Sequence, residues 1–188
     1  MLLIRHAQSE WNFHYGRTRI DPGIPDPALT ELGVQQAEAA AERLAGRDLV
    51  AILASPYRRS LQTAAIIATR LDVAVRVDPL VRERCAFSCD QGSVPADLRQ
   101  HWPDLLFDHL HDCWWGEGIE SEASIEARAL AFRKEVVAHP DEARTLVVSH
   151  WGFVRALTGL EVGNGAIVHY DPVEGRATLE EDATAPLA

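Results

Sequence analysis

Short apolar runs that stop abruptly in polar residues recur along this chain. Leu2-Leu3-Ile4 gives way to Arg5-His6, Leu49–Ala54 to Ser55-Pro56, and Thr145–Val148 to Ser149-His150. Runs of this length, bounded by turn residues, predict strands buried on both faces. Between them the apolar positions recur at helical spacing. Leu32, Ala37, Ala40, Ala41 and Leu44 follow Thr30, a good N-cap, and predict a helix over 31–45 with Gly46 as its terminator. Leu61, Ala64, Ala65, Ala68 and Leu71 mark a second helix. Ile125, Ala129, Phe132 and Val136 mark a third, capped by Ser121 or Ser124 and stopped by Pro140. A fourth starts after His150 and is closed by Gly159. Val73–Val77 reads as a further strand, two closing strands fall near 166–170 and 177–179, and the tail after Glu180 reads as loose.

Strand, crossover helix and strand in succession predict βαβ units. The expected fold is α/β: a three-layer sandwich with a mostly parallel central sheet flanked by helices, residues 1–188 forming one domain. Two stretches fall outside this rhythm. Residues 8–27 show no helical period and carry several prolines and glycines, so they read as a long loop. Residues 86–121 combine turn residues, a short helical candidate near Pro95–Leu106 and the cluster His109–Trp115, and read as a lid-like insert.

Charge narrows the function classes. The formal net charge is -10, which argues against a nucleic-acid partner, since such affinity comes from cationic surface. No apolar stretch is long enough for a membrane helix, and the N-terminal run is too short for a signal peptide. Cys85, Cys89 and Cys113 are few and odd in number, which fits a cytoplasmic protein without disulfides. His109, His111 and Cys113, with Cys85 and Cys89, were they ligands, lack the paired spacing of a zinc site, so no metal is expected.

The candidate chemistry lies where the strands end. In an open α/β sheet, ligands bind beyond the carboxyl ends of the strands. Three of the predicted strands end in Arg5-His6, in Arg58-Arg59 and in His150. An arginine at a helix N-terminus is electrostatically disfavoured unless an anion is bound nearby. Two arginines and two histidines around one pocket suit a phosphoryl group. Glu83, between Arg82 and Arg84 at the exit of a strand, is either a salt-bridge partner of those arginines or a general acid whose pKa they set.

The same residues resemble the histidine phosphatase superfamily, the phosphoglycerate mutase-like proteins. Arg5-His6-Ala7-Gln8-Ser9 with Trp11-Asn12 is similar to its R-H-G-E-S-x-W-N opening. Leu29-Thr30-x-x-Gly33-x-Gln35-Gln36-Ala37 resembles its first helix, and Ser55-Pro56-x-x-Arg59-Ser60-x-Gln62-Thr63-Ala64 its second motif. Leu80-x-x-Glu83-Arg84 and Ser149-His150-x-Gly152-x-x-Arg155 resemble the segments that hold the acid and the second histidine. The chain departs from the pattern at Ala7, at Gln8, at Trp151, and after Arg84, where Cys85–Asp90 replaces a Gly- and Trp-bearing stretch.

The resemblance implies a phosphatase that hydrolyses a phosphomonoester through a phosphohistidine on His6, without metal or other cofactor. Arg5, Arg59 and His150 would hold the phosphoryl oxygens, and Glu83 would act as acid, with Asp90 in reserve. Asn12, Arg17, Arg84 and Trp151 would touch phosphate or substrate. The expected partner is a small phosphorylated substrate or a phosphoprotein; the oligomeric state is not legible. A mutase-type phosphotransferase and a non-catalytic phospho-ligand-binding protein are the alternatives. The mutase ranks lower, because the basic, proline-rich insert of the longer mutases has no counterpart here.

Overall fold

A computed structural model describes residues 1–139 and 143–180. Six strands form one sheet: β1 (Leu2–Arg5), β2 (Ala51–Ala54), β3 (Ala74–Val77), β4 (Thr145–Ser149), β5 (Ile167–Asp171) and β6 (Arg176–Leu179), in the order β3-β2-β4-β1-β5-β6. The first four are mutually parallel, and β5 and β6 complete the sheet through antiparallel pairs. Six helices accompany them: α1 (Glu10–Thr18), α2 (Glu31–Leu44), α3 (Arg58–Leu71), α4 (Pro95–His101), α5 (Glu122–Ala138) and α6 (Trp151–Thr158).

Alternation along the strands divides the core. Leu2 and Ile4, Leu146 and Val148, and Ile167 point into one apolar layer with Ala40, Ala41 and Leu44 of α2 and Leu61, Ala64 and Ile67 of α3. Leu3, Val147 and Val168 point to the other face, against Ile125, Ala129 and Phe132 of α5 and Phe153 and Val154 of α6. The result is the expected three-layer sandwich, because side chains on a strand alternate between faces with a period of two.

One detail of topology differs from the simplest βαβ reading. β1 and β2 are parallel but not neighbours; β4 lies between them. All five residues of β4 are buried, so it takes a central position, while the half-exposed β3 takes the edge. The register is level: Val148 pairs with both Ile4 and Ala54. Arg5, Ser149 and Ser55 therefore emerge side by side.

The connection over 8–27 is not wholly a loop. It contains α1, whose period went unseen because Trp11 is its one buried residue. The helix is held instead by a capping box between Ser9 and Asn12 and by pairs four residues apart. Trp11 stacks on Tyr15 at 4.3 Å, and the Arg17 guanidinium lies 4.1 Å over the Phe13 ring. The helix near 95–106 stops at His101.

The 86–121 segment is largely spent on the core. Leu98, Phe107, Leu110 and Trp114 are buried in the layer with α2 and α3, and the Trp114 ring meets Tyr57 edge-on at 4.6 Å. Only its beginning, near 86–90, faces the cavity described below. Residues 109–113 run through turns and not a strand, so His109, His111 and Cys113 do not share the face an extended chain would give them. Thr30 and Ser121 cap α2 and α5 by accepting from Gly33 N and Ser124 N, and Gly159, at φ +76°, closes α6. Pro140 and the tail beyond Glu180 lie outside the described residues.

The start of α2 is pressed against the exit of β1. Thr30 N and its hydroxyl both donate to the Gln8 carbonyl, and a Cβ on Gly33 would sit 2.1 Å from that oxygen. Gly33→Ala should therefore destabilise the fold, although alanine is the better helix former. The expected loss is about 1–3 kcal/mol, the usual range for overpacking, read as a lower urea midpoint at constant slope.

Candidate active site

The backbone places the first two residues of the site. Arg5 closes β1, and His6 continues it for one more ladder bond, donating its N–H to the Ser149 carbonyl at 2.8 Å. The His6 ring is 3% exposed, and its Nδ1 is 2.7 Å from the Ala7 carbonyl oxygen. A carbonyl can only accept, so Nδ1 carries the proton and Nε2 keeps the lone pair. Burial, then Arg59 and Arg5, push the His6 pKa well below the usual histidine value. The ring is neutral at physiological pH.

Arg59, buried, and Arg5, partly buried, flank it with positive charge. Arg5 donates through Nη1 to the Val162 carbonyl at 2.7 Å, while its Nε is buried without a partner among the described residues. Burial pulls its pKa down to about 10, so it stays a cation at neutral pH. Arg59 sits in the first turn of α3. It donates to the Cys89 carbonyl at 2.7 Å, pairs with Asp90 at 3.2 Å, and lies 4.3 Å over the Tyr57 ring. That turn receives no side-chain cap from Tyr57. Asp26 supplies one from a distance, accepting from Arg58 N at 2.8 Å.

His150 follows β4 directly and is fully buried. Its ring lies 5.0 Å from that of His6. Nε2 is within reach of two hydroxyls, Ser55 at 2.8 Å and Ser60 at 3.2 Å. With those hydroxyls donating, the proton resides on Nδ1, which has no partner among the described residues. Burial and the nearby Arg59 keep this ring neutral as well.

Glu83 is one of two carboxylates that line the cavity described below. Its carboxylate accepts from Arg84 N at 2.8 Å and Gly152 N at 3.2 Å. Burial, reinforced by Asp90, raises its pKa above the ordinary value despite those bonds. Asp90 has a different task. Its oxygens are taken by Arg59, by Ala86 N and Phe87 N, and by the Cys89 thiol. It is a counter-ion and the brace of a turn.

A cavity of about 590 Å³ joins these groups. Arg5, His6, Asn12, Arg59, Glu83, Arg84, Asp90 and Trp151 of the sequence candidates line it. Arg17 does not, since its guanidinium is held over Phe13 on α1. His150 does not line it either; it lies beneath, backing the His6 ring. Sequence reasoning missed Arg19, Asn164 and Phe87, which do line it. Asn164 donates to the His6 carbonyl at 3.0 Å and to Asn12 Oδ1 at 3.2 Å. Its isolated place in a turn-rich stretch offered no pattern by which to find it.

Residues 1–170 match the family model of the histidine phosphatase superfamily, branch 1. The chain belongs to this superfamily. A glucosyl-3-phosphoglycerate phosphatase of Mycolicibacterium vanbaalenii is 31% identical over 180 residues, covering 89% of this chain and 78% of that protein. A protein named a probable phosphoglycerate mutase, from Proteus mirabilis, is 33% identical over 150 residues, covering 79% and 67%. Among solved structures, a mycobacterial glucosyl-3-phosphoglycerate phosphatase in complex with VO3 aligns at a TM-score of 0.64 and 26% identity, covering 98% of this chain and 99% of that one.

The histidine phosphatase framework here is completed by a residue that sequence reading passed over. Arg128, on α5 and 8% exposed, donates to the carbonyls of Leu80 at 2.9 Å and Arg82 at 2.7 Å. It pairs with Glu120 at 2.6 Å. The strand exit that carries Glu83 is thus clamped from behind by a buried ion pair. Breaking one side of such a pair costs about 3–5 kcal/mol, because the other charge stays buried. Arg128→Met should lose that much in chemical denaturation, and Arg128→Met with Glu120→Leu should recover a large part of it. Equal stability of the single and double variants would remove the clamp.

Proposed function

We propose that the protein hydrolyses a phosphomonoester, with His6 as nucleophile. The observation that carries this reading is the 2.7 Å bond from His6 Nδ1–H to the Ala7 carbonyl. It leaves the Nε2 lone pair free on a neutral ring, at the wall of a cavity also lined by Arg5 and Arg59. Nε2 attacks phosphorus, the bond to the ester oxygen breaks, and that oxygen takes its proton from Glu83. Water then attacks the phosphohistidine, Glu83 carboxylate accepts its proton, and inorganic phosphate leaves with His6 restored. Arg5, through its unpartnered Nε, and Arg59 offset the charge on the equatorial oxygens. His150, beside the His6 ring with Nδ1 unpartnered among the described residues, supplies a further donor to those oxygens. Catalysis is then positioning and electrostatic stabilisation without a metal.

The cavity suits a small phosphorylated molecule better than a protein surface, and the sparse cysteines favour a cytoplasmic location. Hydrolysis is preferred over mutase chemistry because residues 92–116 pack into the core and do not roof the cavity. Asn12 and Arg84 contact the substrate near the reacting centre, and Trp151 forms part of its rim.

Release of inorganic phosphate from p-nitrophenyl phosphate tests the reading. His6→Ala should abolish it, and rapid acid-labile, base-stable phosphorylation of the wild type should be absent from that variant. Activity that survives His6→Ala would exclude the nucleophile.

The pH profile follows from the directions of the shifts. His6, with its lowered pKa, stays a neutral nucleophile as pH falls through the ordinary histidine range. Glu83, with its raised pKa, remains a proton donor above the ordinary carboxylate range and is lost as an acid when pH rises further. The optimum should be acidic, with the alkaline limb absent from Glu83→Gln. That variant should lose about 10²- to 10⁴-fold on alkyl phosphates, the usual worth of a general acid. It should lose less on p-nitrophenyl phosphate, whose leaving group needs no proton. Gly152→Ala, whose Cβ would sit 2.4 Å from Glu83 Oε1, should lower kcat more than it raises KM.

A further inference from the structure

The cavity is far larger than a phosphoryl group requires. At about 590 Å³ it falls in the range that encloses a whole small molecule, so its outer walls read the leaving group. One wall is aromatic. Trp11, Tyr15 and Phe87 all line it, with the Phe87 ring 5.2 Å from Trp11 and 5.5 Å from Tyr15.

This wall is built before any ligand arrives. Trp11 Nε1–H donates to Asp21 at 2.9 Å. Asp21 also accepts from the backbone N and the hydroxyl of Ser88. The carboxylate thus ties α1 to the turn that carries Phe87. Phe87 is nonetheless 45% exposed.

At the end of the wall stands a cation without a counter-ion. Arg5 is bonded to Val162, Arg59 to Asp90 and Cys89, and Arg84 to Glu120 and Glu122. Arg19 also lines the cavity, and its guanidinium lies 5.9 Å from the Tyr15 ring centre. Among the described residues its side chain has no hydrogen bond or ion pair. Flat π surfaces prefer flat partners, and a guanidinium prefers a carboxylate or phosphate.

We infer that the substrate is a phosphomonoester whose leaving group is a flat aromatic or heteroaromatic body bearing a second anionic group. The ring lies along Tyr15 and Phe87, and the distal anion reaches Arg19. This subsite rests on the phosphatase reading for its role, but its binding can be tested apart from turnover.

Calorimetry on His6→Ala, which binds without hydrolysing, compares three ligands: 4-carboxybenzyl phosphate, benzyl phosphate and phosphoserine. The carboxybenzyl ester should bind roughly tenfold more tightly than the benzyl ester, the scale of one hydrogen bond to a charged group. Adding Arg19→Gln should close that gap. Adding Phe87→Ala should weaken both benzyl ligands relative to phosphoserine. Equal affinity for the two benzyl esters, a gap that survives Arg19→Gln, or phosphoserine as the tightest ligand would overturn the inference. Discrimination in binding without phosphate release by the wild type would keep the subsite and remove the phosphatase. Hydrolysis of all three esters with no discrimination in binding would do the reverse.

Discussion

The guanidinium groups of Arg59, buried, and Arg5, partly buried, set the terms for everything near them in this acidic protein. A buried charge is tolerated only if it is paired or hydrogen-bonded. Arg59 meets that demand through Asp90, the Cys89 carbonyl and the Tyr57 ring. Arg5 meets it in part, through Val162, and keeps Nε unpartnered. Their field acts outward on the two imidazoles, which are held neutral. It also explains why two carboxylates in one site take different parts. Asp90 is taken up by Arg59 and by the turn it braces, whereas the Glu83 carboxylate is bound by two backbone N–H groups among the described residues and keeps a raised pKa. Under the proposed mechanism, the groups that hold the anion and the group that moves the proton are thereby built from the same charges.

The orientation of Glu83 depends on residues remote in sequence. Gly152 approaches so closely that any Cβ would displace the carboxylate. Arg128 fixes the backbone leading into it through the Leu80 and Arg82 carbonyls, and Ser149, the last residue of β4, donates to the Val81 carbonyl at 2.7 Å. The acid is thus held by α5, by α6 and by the sheet at once. Its own sequence neighbours, Arg82 and Arg84, turn to Glu120 and Glu122 instead.

The layers, and the two strand ends that bring Arg5, His6 and His150 together, were legible because apolar periodicity reports burial directly. So was Arg59 over Arg58: the motif distinguished them, and the structure buries the first and exposes the second. What escaped was structure held by something other than an apolar stripe. α1 depends on a capping box and aromatic pairs, so its polar composition reads as loop, and with it Arg19 was missed while Arg17 was chosen. Residues 92–116 bury Leu98, Phe107, Leu110 and Trp114 at irregular spacing between exposed residues, and a pattern without a period does not show which of its side chains reach the core. Arg128 looks like one more polar position on a helix; its burial follows from what faces it across the fold, which no local pattern records.

The departures at Ala7 and Gln8 lose their force once the contacts are known. What the site needs from Ala7 is its carbonyl, which sets the His6 tautomer, and its N–H, which donates to Thr63 at 3.2 Å. Both are backbone groups, and the methyl side chain is fully buried beside them. Gln8 points away from the cavity. Its side-chain oxygen accepts from the Thr30 hydroxyl at 2.9 Å, next to the N-terminus of α2, where a carboxylate would be equally welcome. An uncharged amide there adds no negative charge near His6. Trp151 is the departure that reaches the cavity. Its ring is 5.2 Å from the Arg155 guanidinium, so this departure puts a bulky ring on the cavity wall while leaving the contacts of His6 untouched.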